Sequence, residues 1–176
     1  MVGLQHLNKE FTDIIIEHKE YIYEVYFSWG DFANGRNNQV ENDAYTSWEL
    51  QKLQVEALEK ISAAGIPVNL LLNGNCYGKN SQSKALFNKI GNTIEYIMEN
   101  YGLQSVTTTS PLIAKFIKAN FGDIEVRASV NMSIGTIEGM DYISDYFDGY
   151  YMKRELNRDF ETIKELKELC DIHNKK

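Results

Sequence analysis

Five times along this sequence, an apolar stretch of strand length is followed by a short polar loop and then by a segment with helical spacing. The apolar stretches fall at residues 21–29, 67–72, 104–108, 124–130 and 148–154. This alternation is typical of βα units, because parallel strands need a crossover connection that is usually a helix. The pattern therefore predicts an α/β fold that binds its ligand outside the carboxyl ends of the strands.

Helical spacing predicts an amino-terminal helix and five crossover helices, at residues 4–18, 47–64, 83–101, 111–120, 136–146 and 158–173. Five βα units are too few to close a (βα)8 barrel. We therefore interpret residues 1–176 as a single α/β domain of parallel βα repeats. It would be a TIM-barrel-like partial barrel of about five βα units with an N-terminal helix, forming the amino-terminal portion of a (βα) barrel. A flavodoxin-like open sheet is the alternative, and it predicts a strand close to the amino terminus and a phosphate loop directly after it.

The composition and net charge limit the classes of protein to which this chain can belong. The net charge of −7 disfavours a general nucleic-acid binder, which needs a basic face. No secretory leader is visible, and the apolar runs are far shorter than the ~20 residues of a membrane span. The two cysteines, Cys76 and Cys170, are too few for a disulfide framework. We therefore expect a cytoplasmic protein with reduced thiols and no membrane partner.

The loops after the first two predicted strands hold candidate substrate-binding residues. Arg36 follows a glycine and has the planar donor fork that suits a carboxylate or phosphate, although a solvated arginine in a turn is the alternative. Asn73 opens a loop whose glycines allow backbone amides to approach a ligand. Cys76 lies in the same loop but has no histidine near it in sequence, which disfavours a nucleophilic role.

The fourth strand carries polar residues with a period of two. This spacing places Arg127, Ser129 and Asn131 on one face, which in a barrel points into the lumen. Polar groups at such positions cost free energy unless they are paired or used for binding. We therefore count Asn131 among the substrate-binding candidates.

The fifth strand ends in the densest group of charges at any predicted strand end, residues 153–158. Glu155 could serve as a general base or ligand, and Lys153, Arg154 and Arg158 as a clamp for an anion. The alternative is a solvated, salt-bridged cap on the following helix. Glu155 and Arg154 are the catalytic candidates, and Lys153 is a substrate-binding candidate.

A metal site is not predicted. The three histidines fall in separate predicted helices, and no CxxC, HxxxH or HExxH pattern occurs. The chain itself is therefore expected to hold no metal and no cofactor.

Several short motifs together resemble the U32 peptidase family. They are Tyr-Phe-Ser-Trp at 26–29, Asn-Gly-Arg at 34–36, Arg-Ala-Ser-Val-Asn at 127–131 and Lys-Arg-Glu-Leu at 153–156, followed by an acidic helix. The resemblance implies a TIM-barrel-like fold and a peptidase or hydrolase activity. It covers most of the chain in order and spacing, and matches the amino-terminal part of the family.

The resemblance leaves other activities open. Some family members look like oxygen-independent hydroxylases of RNA or of quinone precursors. These carry a cysteine cluster that binds an iron–sulfur centre downstream of the Arg-Glu-Leu motif. Neither Cys76 nor Cys170 matches that cluster. An iron–sulfur centre is thus left open only for a longer form, and this chain alone could be inactive.

A non-catalytic role is the second class of hypothesis. A five-stranded piece of barrel leaves two open sheet edges, through which the chain could self-associate or dock a protein partner. The substrate of the enzyme hypothesis would be a peptide or a small anionic molecule.

Overall fold

The computed structural model of the protein describes residues 1–30, residue 32 and residues 46–176. Within them, six parallel strands form one sheet: β1 (Val2–Gly3), β2 (Val25–Phe27), β3 (Val68–Leu72), β4 (Leu103–Thr108), β5 (Glu125–Ala128) and β6 (Gly149–Tyr150). The strands neighbour one another in the order of the sequence, and every pair is parallel. This sequential order is that of a barrel wall, whereas a flavodoxin-like sheet reverses its order at a switch point.

Helices follow the strands: α1 (Lys9–Glu17), α2 (Thr46–Ala63), α3 (Lys84–Tyr101), α4 (Pro111–Asn120), α5 (Ile137–Tyr142) and α6 (Phe160–Ile172). Capping residues determine where these helices begin and end. The Ser110 hydroxyl accepts a hydrogen bond from the backbone N–H of Ile113, and Pro111 occupies the first turn of α4. Gly102 ends α3 with a φ of 66°, a left-handed conformation that glycine adopts at little cost. No helix among the described residues is long and apolar enough to cross a membrane.

The amino-terminal segment differs from the prediction, because a strand precedes the first helix. The backbone N–H of Val2 donates to the Glu24 carbonyl (3.0 Å), which adds β1 to the edge of β2. The helix starts at Lys9 and not at residue 4, since the Asn8 side chain accepts from the N–H of Phe11 (3.1 Å) and caps it. A strand of two residues is too short to show a periodic pattern in sequence.

The last predicted strand is also shorter than expected. Residues 148–154 were expected to be extended, but β6 spans only Gly149–Tyr150, and Arg154–Arg158 forms a 3-10 turn. Beyond α6, the N–H of Lys176 donates to the Asp148 carbonyl and the Lys176 carbonyl accepts from the N–H of Tyr150, both at 2.9 Å. This is the hydrogen-bond pattern of a parallel pair, so the backbone of Lys176 lies beside β6.

The two faces of the sheet differ in chemistry. Residues that face the helices are apolar and inaccessible to solvent, among them Val25, Val68, Leu70, Val106 and Val126. The residues that alternate with these along each strand face away from the helices and are mostly polar. Asn69, Ser105 and Glu125 are aligned in one row across three strands, and Thr107 is aligned with Arg127 in the next. The hydrophobic core therefore lies between sheet and helices, while the inner face of the curved sheet is polar.

Candidate functional site

The loops at the carboxyl ends of the strands are joined into one surface. The Thr109 hydroxyl donates to the Gly74 carbonyl (2.5 Å), which ties the loop after β4 to the loop after β3. The Asn131 amide donates to the Asn73 carbonyl (3.1 Å), which brings in the loop after β5. The N–H of Lys153 donates to the Ile134 carbonyl (2.9 Å), which adds the segment after β6. Four consecutive strand ends thus form a continuous edge, as expected for the ligand side of a parallel α/β fold.

The loop after β3 is held in place by its own residues as well. The Tyr77 hydroxyl donates to the Leu72 carbonyl. Burial raises the pKa of this hydroxyl, and hydrogen bonds with Thr108 and Thr109 offset only part of that increase. Cys76 is exposed, and its Sγ accepts from the N–H of Gly78 at 3.3 Å. The loop therefore presents Asn73 and Cys76 from a fixed backbone.

The loop after β5 brings Asn131 to this edge by a route different from the predicted one. The strand ends at Ala128, and Val130–Met132 forms a 3-10 turn that the Ser129 hydroxyl caps by accepting from the N–H of Asn131 (3.2 Å). Asn131 is thus a loop residue, and only Arg127 of the predicted trio lies in the strand. Ser133 follows with a φ of 54°, a conformation that non-glycine residues rarely adopt and that is frequent at functional sites.

The charged segment after β6 forms an exposed turn, not a strand end. Arg154 and Glu155 begin the turn and are both exposed, and Arg158 ends it. Lys153 precedes the turn and is half-buried, because its aliphatic stem lies across Gly135. Asp159 caps α6, with one oxygen accepting from the N–H of Thr162 (3.1 Å) and the other from its hydroxyl (2.8 Å). The predicted site residues Asn73, Asn131, Lys153, Arg154 and Glu155 therefore all lie along the carboxyl edge.

Two further points concern the predicted site. Arg36 lies outside the described residues. Among residues 1–30, 32 and 46–176, no group of three or more histidine, cysteine, aspartate or glutamate side chains is arranged to hold a metal ion.

A second polar centre lies on the inner face of the sheet, and sequence reasoning missed most of it. Glu24, whose side chain is only 2% exposed, accepts from the Arg127 guanidinium at 2.6 Å and from the Ser105 hydroxyl at 3.2 Å. The Asn69 amide donates to Ser105 Oγ (2.7 Å), and the Thr107 hydroxyl donates to the Asn69 side-chain oxygen (3.0 Å). The inner face thus carries a connected and buried hydrogen-bond network.

Arg127 is the centre of this network. Its Nε donates to Glu125 (2.7 Å) and its Nη1 donates to the Tyr151 hydroxyl (3.0 Å), in addition to the bond with Glu24. Burial acts to lower the pKa of Arg127, but the hydrogen bonds to the two carboxylates and to Tyr151 outweigh it and raise the pKa. The guanidinium therefore stays charged, and the prediction that Arg127 points into the lumen is confirmed.

Glu125 connects this network to the amino-terminal end of the strands. Burial acts to raise the pKa of Glu125, but hydrogen bonds and charge from Arg127 and Lys176 lower it overall. A pocket of about 280 Å³ opens here, also lined by Tyr23, Gln104 and Asp123. At this end of a parallel barrel, polar residues usually serve stability, whereas ligands bind at the opposite end. The carboxyl edge is therefore the candidate functional site.

The fold is similar to that of a known structure, the U32 peptidase Mk0906. The TM-score is 0.73 and the sequence identity 15%, over 95% of this chain and 63% of that one. No family model matches this sequence, and no curated protein matches it. At this identity the likeness shows the fold alone, so the predicted resemblance to U32 peptidases is confirmed for the fold. The chain spans less than two thirds of the length of the structure that it matches.

Proposed function

We propose that this chain is part of a U32-peptidase-like hydrolase barrel and that it binds its substrate at the carboxyl edge of the sheet. The observation that carries the proposal is the joining of four strand-end loops by the Thr109, Asn131 and Lys153 hydrogen bonds. These bonds connect distant segments of the chain along one edge of the sheet, in a fold that is similar to that of a U32 peptidase. Preorganised polar groups at this edge are what ligand sites of parallel α/β folds consist of.

The proposed reaction is hydrolysis of a peptide bond. The Glu155 carboxylate takes a proton from a water molecule, whose oxygen forms a bond to the carbonyl carbon. The Arg154 guanidinium stabilises the negative charge that develops on the carbonyl oxygen. The C–N bond then breaks, and the proton held by Glu155 passes to the leaving nitrogen. Both side chains are exposed in the structure, so they are accessible to a substrate.

The remaining predicted residues have binding roles in this proposal. Asn131 and Asn73 are adjacent through their hydrogen bond, and the Asn131 side-chain oxygen can accept a bond from a substrate N–H. Lys153 supplies a positive charge from the segment after β6, whose backbone is bonded to the loop after β5. Arg36, outside the described residues, keeps its proposed role as a donor to the substrate.

Hydrolysis of a fluorogenic casein substrate tests the proposal with matched variants. Glu155→Ala and Arg154→Ala should each lower kcat/KM by about 100-fold or more, as expected when a general base or an oxyanion donor is lost. Glu165→Ala and Lys164→Ala remove exposed charges on α6 and should leave the rate unchanged. Because all variants are purified in the same way, a contaminating protease would be equally active in every preparation.

The possible results separate the two parts of the proposal. No hydrolysis by the unmodified chain would refute peptidase activity of residues 1–176. Hydrolysis that survives both Glu155→Ala and Arg154→Ala would refute the assignment of the site.

A second candidate function is docking of another copy through the sheet edges. Among the described residues, β1 is paired on one side only, and the outer edge of β6 is paired only by Lys176. Unpaired strand edges are suited to association with another chain. Sedimentation equilibrium tests this, since a single species of 20.3 kDa at high protein concentration would refute self-association.

A further inference from the structure

In the part of the chain that the structure describes, the loops after β3 to β6 carry more cations than carboxylates, although the chain as a whole is acidic. In loop residues 73–83, 109–110, 129–136 and 151–159, the cations are Lys79, Lys153, Arg154 and Arg158, and the carboxylates are Glu155 and Asp159. Both oxygens of Asp159 already accept hydrogen bonds from Thr162. The full chain has a net charge of −7, so this local excess of positive charge is a distinct feature of the described edge.

The three cations of residues 151–159 have no ion-pair partner among the described residues. Lys60 and Lys118 lie 2.7 Å and 2.5 Å from a carboxylate oxygen, whereas Lys153, Arg154 and Arg158 form no salt bridge in the described part of the chain. The charge of Lys153 does contribute to lowering the pKa of Asp159, after the larger effect of the hydrogen bonds from Thr162. Lys153 is therefore close to one carboxylate, but its ammonium is free to bind an additional anion.

Lys153 is also held in one place by the backbone of the neighbouring loop. A Cβ atom at Gly135 would lie 2.5 Å from Cε and 2.6 Å from Cδ of Lys153, so the stem occupies the space that glycine leaves open. The backbone N–H of Lys153 is bonded to Ile134 in the same loop. A lysine whose stem is packed in this way loses less conformational entropy on binding than a freely rotating one.

We propose that the site binds an oxyanion of the substrate, a carboxylate or a phosphate group, through the ammonium of Lys153 with Arg154 and Arg158 beside it. This inference rests on the proposed function, because it takes the carboxyl edge as the substrate site. It adds the substrate class: the substrate carries a negatively charged group next to the bond that is cleaved. The glycine at position 135 serves to direct the lysine toward that group.

An NMR titration of the ¹⁵N-labelled chain tests the inference with inorganic phosphate and, separately, with acetate. Saturable shifts should concentrate at the amides of Gly135 and Lys153. Lys153→Ala should raise the Kd about tenfold, the usual effect of losing a hydrogen bond to a charged group. Gly135→Ala keeps the charge but displaces the packed stem of Lys153, and should raise the Kd as well. Lys164→Ala, on α6, is the control and should leave the Kd unchanged.

Each outcome decides one question. Saturation by phosphate alone assigns a phosphate group, saturation by acetate alone assigns a carboxylate, and saturation by both supports the shared oxyanion chemistry. No saturable binding of either anion, or an unchanged Kd in both Lys153→Ala and Gly135→Ala, overturns the inference. Its failure is distinguishable from failure of the proposed function, which is judged by the loss of hydrolysis in Glu155→Ala.

Discussion

Replacement of Arg127 by methionine should destabilise the fold more than the loss of any exposed charge. The guanidinium donates to Glu24 at 2.6 Å and to Glu125 at 2.7 Å, and the side chain of Glu24 is 2% exposed. Without Arg127, Glu125 keeps its bond to Lys176, but Glu24 keeps only the neutral donors Ser105 and Asn69. Removing one partner of a buried ion pair costs about 3–5 kcal/mol. We expect a loss of that size in the free energy of unfolding.

Urea unfolding followed by circular dichroism measures this loss. The double variant Glu24→Gln/Arg127→Met should be more stable than the summed effects of the two single substitutions predict, by a coupling energy of about 2 kcal/mol. The reason is that glutamine carries no charge that would be left unpaired, and it can still form hydrogen bonds with Ser105 and Asn69. Lys60→Met is the control: its partner Asp13 lies at 2.7 Å, but both side chains are more than half exposed, so the change should cost less than about 1 kcal/mol. A loss below about 1 kcal/mol for Arg127→Met, or additive effects in the double variant, would refute the reasoning.

Two other predictions concern the same sheet. Glu125 has a lowered pKa in the folded state, so its stabilising contribution is present above the ordinary value of 4.5 and is lost as the pH falls through the lowered value. The urea midpoint of the unmodified chain should therefore decline more steeply below about pH 4.5 than that of Glu125→Gln; parallel pH profiles would contradict this. On the apolar face, Leu70→Ala should cost about 2–5 kcal/mol because Leu70 is fully buried, while Leu112→Ala, at a side chain that is 43% exposed, should cost under about 1 kcal/mol. Equal losses in thermal or urea unfolding would show that Leu70 is not part of the packed core.

The local elements were predictable because their signals lie within a few residues of one another. The predicted ranges 83–101 and 111–120 agree within one residue with α3 and α4, whose boundaries are set locally by Gly102 and by Ser110 with Pro111. The two-residue strand β1 was missed because its stability comes from β2, more than 20 residues away, and not from a pattern of its own. The segment around Arg154 was predicted to end a strand, but the structure forms a 3-10 turn there.

The placement of the candidate residues at the carboxyl edge was predictable, but the contacts between them were not. The alternation of strands and helices places Asn73, Asn131 and Lys153 at strand ends, and therefore at one edge of a parallel sheet. The bond between Asn131 and Asn73 joins residues 58 positions apart, and the packing of Lys153 across Gly135 depends on two loops meeting. No pattern within either loop contains that information.

The sequence by itself predicted an α/β fold of parallel βα units and the sheet edge along which the candidate residues lie, because periodicity and caps act between near neighbours. The order of the strands became known only from the structure. Only the tertiary structure decided which charges are buried together. Glu24 and Arg127 are separated by 103 residues, and the strand pattern that turns Arg127 inward does not identify Glu24 as its partner. The register of β2 to β5 brings them within 2.6 Å on the inner face, where the attraction between the two charges and the surrounding hydrogen bonds offset the cost of removing them from water.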